Sequence, residues 1–240
     1  MTKLRNLLIA AIAIVGLSTS AWAGTATIGV VTSMMEVNAS GTETDTLTAG
    51  GADVADTSVR NKSISDDVFT GSIFAEYTFD YSWALTAGVE VTPGKADVGG
   101  NFSRNDIETS ISNSTLTQTN SVTRTAEATA GGFGTAYIEA PLFAGLYVRA
   151  GMSKMSVDYT TTTTGTQSGS YTDSIDLTGT NLGVGIKGNR DGYVYKLAYE
   201  QTDYDTFSLR SAGNSVAANS NGVKGDLDTK GVRLSIGKTF

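Results

Sequence analysis

Beyond residue 23, apolar and polar positions alternate with a period of two, and no segment sustains the 3.6-residue spacing of an amphipathic helix. In Trp83–Thr92 one face is Trp83, Leu85, Ala87, Val89 and Val91, and the other is Ala84, Thr86, Gly88, Glu90 and Thr92. In Leu146–Ser153, Leu146, Val148, Ala150 and Met152 oppose Tyr147, Arg149, Gly151 and Ser153. Phe69–Tyr81, Leu182–Lys187, Tyr193–Glu200 and Val232–Phe240 repeat the pattern. Successive side chains of a strand point to opposite faces, so these stretches predict strands with one apolar and one polar face. Two less regular stretches, Ala26–Val37 and the Ala- and Gly-rich Ala128–Ala140, bring the expected number to eight.

The connections alternate in length. Asp80-Tyr81-Ser82, Ala140-Pro141-Leu142-Phe143 and Asn189-Arg190-Asp191-Gly192 read as tight turns. Between them lie four long polar stretches, at about 38–66, 93–126, 160–181 and 203–229, dominated by Thr, Ser, Asn, Gly and Asp. A compact soluble domain rarely carries four such loops. A transmembrane barrel does, with short turns at one rim and long loops at the other. Four long and three short connections require eight strands with both ends on the turn side.

The first 23 residues read as a cleaved secretory signal peptide. Lys3 and Arg5 precede an apolar run from Leu7 to Leu17, and Ala21-Trp22-Ala23 carries small residues where signal peptidase reads them. The run is shorter than the roughly 20 residues that a membrane-spanning helix needs. The barrel domain then occupies Gly24–Phe240.

Composition narrows the chemistry. The 240 residues contain no His and no Cys, with a net charge of −7. Disulfides, thiolate metal sites and every His-based triad or zinc site are excluded. The acidic balance argues against a nucleic-acid partner. Neither a metal nor a cofactor is expected.

Charges placed singly on the polar face separate a membrane barrel from a soluble sandwich. Glu76, Glu90, Arg149, Glu200 and Arg233 each sit mid-strand. In a sandwich they would face solvent, whereas in a narrow barrel they would face one another in the lumen. Aromatic residues gather beside the short turns: Tyr77, Phe79, Tyr81, Trp83, Phe143, Tyr147, Tyr193 and Tyr195. They read as an interfacial girdle at one membrane surface, and Phe69, Tyr159, Tyr204 and Phe207 as the other. Only helices and closed barrels satisfy every peptide group in lipid. The expected fold is therefore an all-β, eight-stranded antiparallel up-and-down transmembrane β-barrel, with short periplasmic turns and long extracellular loops.

The signal peptide, the strand count and the closing segment Gly231-Val232-Arg233-Leu234-Ser235-Ile236-Gly237-Lys238-Thr239-Phe240 resemble the small outer-membrane barrels of Gram-negative bacteria. The outer-membrane protein A and X type and the opacity type are the nearest classes. The resemblance is one of architecture rather than of a dense motif. It implies location in the cell outer membrane, contact with outer-membrane lipid, and Phe240 as the end of a signal read by the barrel-assembly machinery. Lys238 departs from the pattern, since that outward position is usually apolar or aromatic. The enzymes of such barrels work through a His base, and this chain has none, so no enzyme is expected.

Two readings of the interior and the loops remain open at this stage. Eight strands leave room for little beyond side chains, so the five charges predict a lumen filled by an ion network, with Glu200 and Arg233 pairing across neighbouring strands. The alternative is a small porin-like diffusion channel. Faint alternation in Asp106–Ala126 and Tyr159–Asp176 suggests hairpins projecting as a sheet, whose edges would suit adhesion or surface recognition of extracellular ligands. A plain hydrophilic coat is the competing reading. Gly183-Val184-Gly185-Ile186-Lys187-Gly188 fits G-x-G-x-x-G, but a turn and a strand follow it where a dinucleotide site needs a helix. The expected protein is a monomeric barrel with a structural or surface-interaction role.

Overall fold

The computed structural model describes residues 24–48, 55–80, 84–97, 102–112, 115–164, 169–210 and 220–240. The expected signal peptide, Tyr81 and Trp83 lie outside them. Ten strands follow one another: β1 (Gly24–Thr48), β2 (Ala55–Phe79), β3 (Thr86–Asp97), β4 (Phe102–Ser112), β5 (Thr115–Pro141), β6 (Leu146–Thr164), β7 (Gly169–Arg190), β8 (Tyr193–Tyr204), β9 (Phe207–Arg210) and β10 (Ser220–Thr239). Eight of them close a ring, β1-β2-β3-β5-β6-β7-β8-β10, because β10 pairs back onto β1 from Thr27↔Thr239 upward. Every pairing is antiparallel and consecutive ring members are neighbours, which is the expected up-and-down barrel.

Inside and outside are inverted relative to a water-soluble fold. Val30, Ile73, Met152, Leu182, Ile186 and Leu234 stand exposed on the outer face. The alternate positions, Thr27, Glu76, Glu90, Arg149, Glu200 and Arg233, are buried inside. An apolar belt outside and charges inside is the pattern that lipid selects.

At the turn end, two of the three expected turns are described, and both begin two residues later than read. Ala140, Pro141, Asn189 and Arg190 are strand, and the turns are 142–145 and 191–192. Tyr81 and Ser82 of the first expected turn lie outside the described residues. Asp191 and Gly192 both take positive φ, 52° and 76°, the conformation of a two-residue turn whose twist matches its flanking strands. It joins Arg190 directly to Tyr193. Gly145, at φ 82°, follows Ala144 at φ 50° in the turn between β5 and β6, closed by the Leu146 amide on the Phe143 carbonyl at 2.9 Å.

The hairpins expected within Asp106–Ala126 and Tyr159–Asp176 are present as β4–β5 and β6–β7, whereas the stretches at 38–66 and 203–229 differ from their description as loops. Most of their described residues are strand. β1 and β2 pair without a register shift from Gly24↔Phe79 to Thr48↔Ala55. At about 3.3 Å per residue, such a hairpin is about 80 Å long, far more than a bilayer core of roughly 30 Å requires even for tilted strands. β4 and β5 form a second hairpin, β6 and β7 a third, and β9 adds to β10. The alternation weakens there because both faces of a sheet standing in water tolerate Thr and Ser, while Thr still favours the strand.

At this hairpin end the ring divides. β2 and β3 share a ladder only from Thr78↔Thr86 to Ile73↔Val91, and the β7–β8 ladder ends at Gly179↔Tyr204. Beyond those points, among the described residues, β2-β1-β10-β9 form one sheet, and β5-β6-β7 form the other, with the end of β3 and then β4 pairing along the outer edge of β5. Pro93 and Gly94, the latter at φ 97°, lie at the register shift that carries β3 away from β2. The two sheets close on an apolar cluster. Val37 and Leu227 from the first pack with Ala130, Met155 and Leu177 from the second, flanked by Phe133, Tyr204 and Phe207.

Candidate functional site

The barrel interior holds two tiers of ion pairs. In the upper tier, Glu90 (β3), Arg149 (β6), Glu200 (β8) and Arg233 (β10) alternate in charge around a closed circuit. Arg149 Nη2 lies 3.3 Å from Glu90 Oε2, and Nη1 lies 3.0 Å from Glu200 Oε1. Arg233 Nη1 donates to Glu200 Oε2 at 2.8 Å, and its Nη2 donates to Glu90 Oε1. Each guanidinium thus bridges two carboxylates, a task for which its planar fork of donors is suited and a Lys is not. The expected Glu200–Arg233 pair is present, as one side of a square. Two acids and two bases leave this tier neutral.

The lower tier, nearer the turn end, is centred on Lys196. Its ammonium donates to Glu76 Oε2 at 2.5 Å and to Glu139 Oε1 and Oε2 at 2.9 and 2.8 Å. Its three protons therefore meet three carboxylate oxygens. Tyr137 donates its hydroxyl to Glu76 at 3.1 Å, and the Arg149 guanidinium lies 3.7 Å from the centre of the Tyr137 ring. Tyr137 thereby ties the two tiers together, through a hydrogen bond below and a cation–π contact above.

All five charges expected in the lumen are there, but they form two groups rather than one. Glu76 belongs to the lower tier. Two members of that tier, Glu139 and Lys196, go beyond the expected set. Lys196 shares its face with Glu200 in the alternation of Tyr193–Glu200, so the signal was present. Glu139, fully buried at 0% exposure, lies in the stretch where a register shift between Gly131 and Gly134 breaks the alternation.

No family model matches this chain, and no curated protein does. Solved structures similar to it include Ail, the attachment invasion locus protein of Yersinia pestis, in complex with the heparin analogue sucrose octasulfate. That likeness has 11% identity over 90% of this chain and 99% of the other, with a TM-score of 0.36. They also include the outer membrane protease OmpT from Escherichia coli, at 8% identity, 93% and 100% coverage and a TM-score of 0.39. Neisserial surface protein A follows at 10% identity, 82% and 96% coverage and a TM-score of 0.27. These neighbours are small outer-membrane β-barrel proteins. The eight-stranded ring itself is read from this chain's own closed ladder.

The aromatic residues divide by face. Tyr193 and Tyr195 stand on the outer surface near the turn end, and Phe143 is 74% exposed in the turn itself. Tyr77 and Phe79 share the outer face and meet edge to face with ring centres 5.1 Å apart. Tyr77 is folded down over Gly24 and is buried. Tyr147 is a correction to the expected girdle. It is 1% exposed and points into the lumen beside Gly185, with the Lys196 ammonium 5.7 Å from its ring centre. Its strand parity with Arg149 places it there. The second girdle is likewise reduced. Phe69 faces outward, whereas Tyr159 is buried and Tyr204 and Phe207 pack against the interior cluster.

Lys238, the departure in the closing strand, faces outward with its ammonium 4.5 Å from the centre of the Tyr193 ring. A long stem beside apolar surface and a charge over an aromatic face let a Lys sit at a membrane rim at small cost. Phe240 is exposed at the turn end, and its amide donates to the Ala26 carbonyl at 2.9 Å.

Proposed function

We propose that this chain is an integral protein of the cell outer membrane whose barrel is a closed anchor and whose hairpin-end sheets do the work. The observation that carries the reading is the interior, filled at successive heights. Lys196 with its two glutamates lies lowest, the arginine–glutamate square above it, and the apolar cluster around Met155 at the hairpin end. Between the square and the cluster remains a cavity of about 40 Å³, far below a path for a hydrated solute. This favours a surface-interaction or structural role over the diffusion channel. The chain's lack of His favours a non-enzyme.

In this reading the first 23 residues are the cleaved export signal. Phe240 and the strand before it are what the barrel-assembly machinery engages, and the chain acts as a monomer. The hairpin end faces outward from the cell. There, among the described residues, β2 and β9 edge one sheet and β4 and β7 the other, and these edges serve extracellular partners as templates for strand pairing.

The deciding experiment is ion conductance of refolded Gly24–Phe240 in a planar bilayer, with folding verified by its heat-dependent gel shift. Electrical silence is expected. Reproducible single-channel steps would overturn the closed-anchor reading.

A further inference from the structure

The cavity above the arginine–glutamate square has an unusual lining. Its walls carry the hydroxyls of Ser72, Thr92, Thr135, Ser153 and Thr202, with the amide of Asn181. Asn181 is 3% exposed, and its Nδ2 donates to Glu200 Oε2 at 3.2 Å, to the Gln201 carbonyl at 3.4 Å and to Thr202 Oγ1 at 2.9 Å. Its Oδ1 is buried without a hydrogen-bond partner among the described residues.

Turning the amide over does not resolve this. A carboxylate and a carbonyl are acceptors only, so they require the NH₂ end. The orientation is thereby fixed, and Oδ1 is left needing a donor. No side chain of the lining, among the described residues, donates to it: Ser72 bonds Thr92 at 2.7 Å and Thr135 bonds Ser153 at 2.8 Å instead. A buried carbonyl oxygen without a donor is costly, and proteins meet that need with internal water.

We infer that this cavity is a buried hydration site, and that one of its waters donates to Asn181 Oδ1. A volume of about 40 Å³ exceeds the roughly 10–15 Å³ that a cavity needs to hold a water. The chemistry selects water over a cation. The square below is neutral, so it offers no net negative charge to hold an ion, whereas the lining hydroxyls both donate and accept as water does. Met35, Phe133 and Tyr204 line it on the side of the apolar cluster, and Glu90, Glu200 and Arg233 line it on the side of the square.

The test is a crystal structure of the refolded barrel in detergent, at a resolution that shows ordered solvent. The expected result is ordered solvent in the cavity, with one peak within hydrogen-bond reach of Asn181 Oδ1. Asn181→Leu should lose that peak and keep the others. In micelles, water-selective NOE and ROE spectra should show long-lived water at the methyls of Thr92, Thr135 and Thr202. This readout stands even if the Asn181 variant fails to fold. A cavity without solvent peaks and methyls without water contacts would overturn the proposal. So would a peak whose oxygen contacts fall at the roughly 2.3–2.6 Å of a hard cation.

Discussion

Arg149 lies over the ring of Tyr137 at 3.7 Å from its centre while holding both Glu90 and Glu200. A single guanidinium face thus covers the aromatic ring, and its edge serves two carboxylates. Both residues descend from neighbouring strands, where Tyr137 pairs with Gly151 and Arg149 with Glu139. The close approach of ring and guanidinium follows from that diagonal, two residues out of register on one face.

The arginine–glutamate square predicts an asymmetry between breaking a pair and removing it. Arg233→Ala leaves Glu90 and Glu200 buried with one cation between them, and should lower stability by about 3–5 kcal/mol. Removing Glu200 and Arg233 together, as Glu200→Gln with Arg233→Gln, keeps the remaining Glu90–Arg149 pair neutral and should cost less. Urea unfolding in detergent, followed by gel mobility, measures both. An unchanged midpoint for Arg233→Ala would contradict the square.

The lower tier predicts the opposite sensitivity for its two kinds of charge. Lys196→Met strands Glu76 and Glu139 side by side without the ammonium they share, and should be among the most damaging single changes in the barrel, at about 3–5 kcal/mol. Glu139→Gln leaves a neutral Lys196–Glu76 pair and should cost about 1 kcal/mol or less. Equal losses in the same unfolding assay would mean that Lys196 does not bridge both acids.

Gly183 provides a steric test of how closely Glu200 packs. A Cβ there would lie 2.7 Å from Glu200 Cγ and 3.2 Å from the Tyr199 carbonyl oxygen. Gly183→Ala should therefore displace Glu200 from the square and destabilise by about 1–3 kcal/mol. Gly188, on the same strand, has open space within 4 Å of such a Cβ. Gly188→Ala should stay within about 0.5 kcal/mol of the parent, which makes it the matched control.

Met155 tests the hairpin-end cluster separately. At 1% exposure, its truncation to Ala should remove about 2–5 kcal/mol from the packing of the two sheets. The ion-pair tiers are untouched, so limited proteolysis should cut the hairpin end faster while the heat-dependent gel shift of the ring persists. Loss of the gel shift together with faster cleavage would show that the two regions unfold as one.

The ring and most of its charges were legible because lipid and a narrow lumen impose opposite demands on alternate residues. Leu146–Ser153 alone places Val148 outside and Arg149 inside. Tyr147 was misplaced where residue type was allowed to outrank parity, since an aromatic beside a turn suggests a girdle while its phase follows Arg149. Glu139 was hidden because the irregularity between Gly131 and Gly134 interrupts the phase of β5. The hairpin-end strands within 38–66 and 203–229 were obscured for a different reason. Sheets with water at their outer face carry Thr, Ser and Asp on that side, so hydropathy ceases to mark the strand even though the ladder continues. The cluster of Val37, Met155, Leu177 and Leu227 comes from strands far apart in sequence, and only the closure of the ring brings them together.

The unbroken register of β1 and β2 limits how this chain can change in length. Adding one residue within either strand would turn every side chain beyond it to the opposite face, sending Thr27 or Glu76 toward lipid and Val30 or Ile73 into the lumen. Changes within the hairpin are thus confined to additions of two residues in each strand, which keep both the register and the faces.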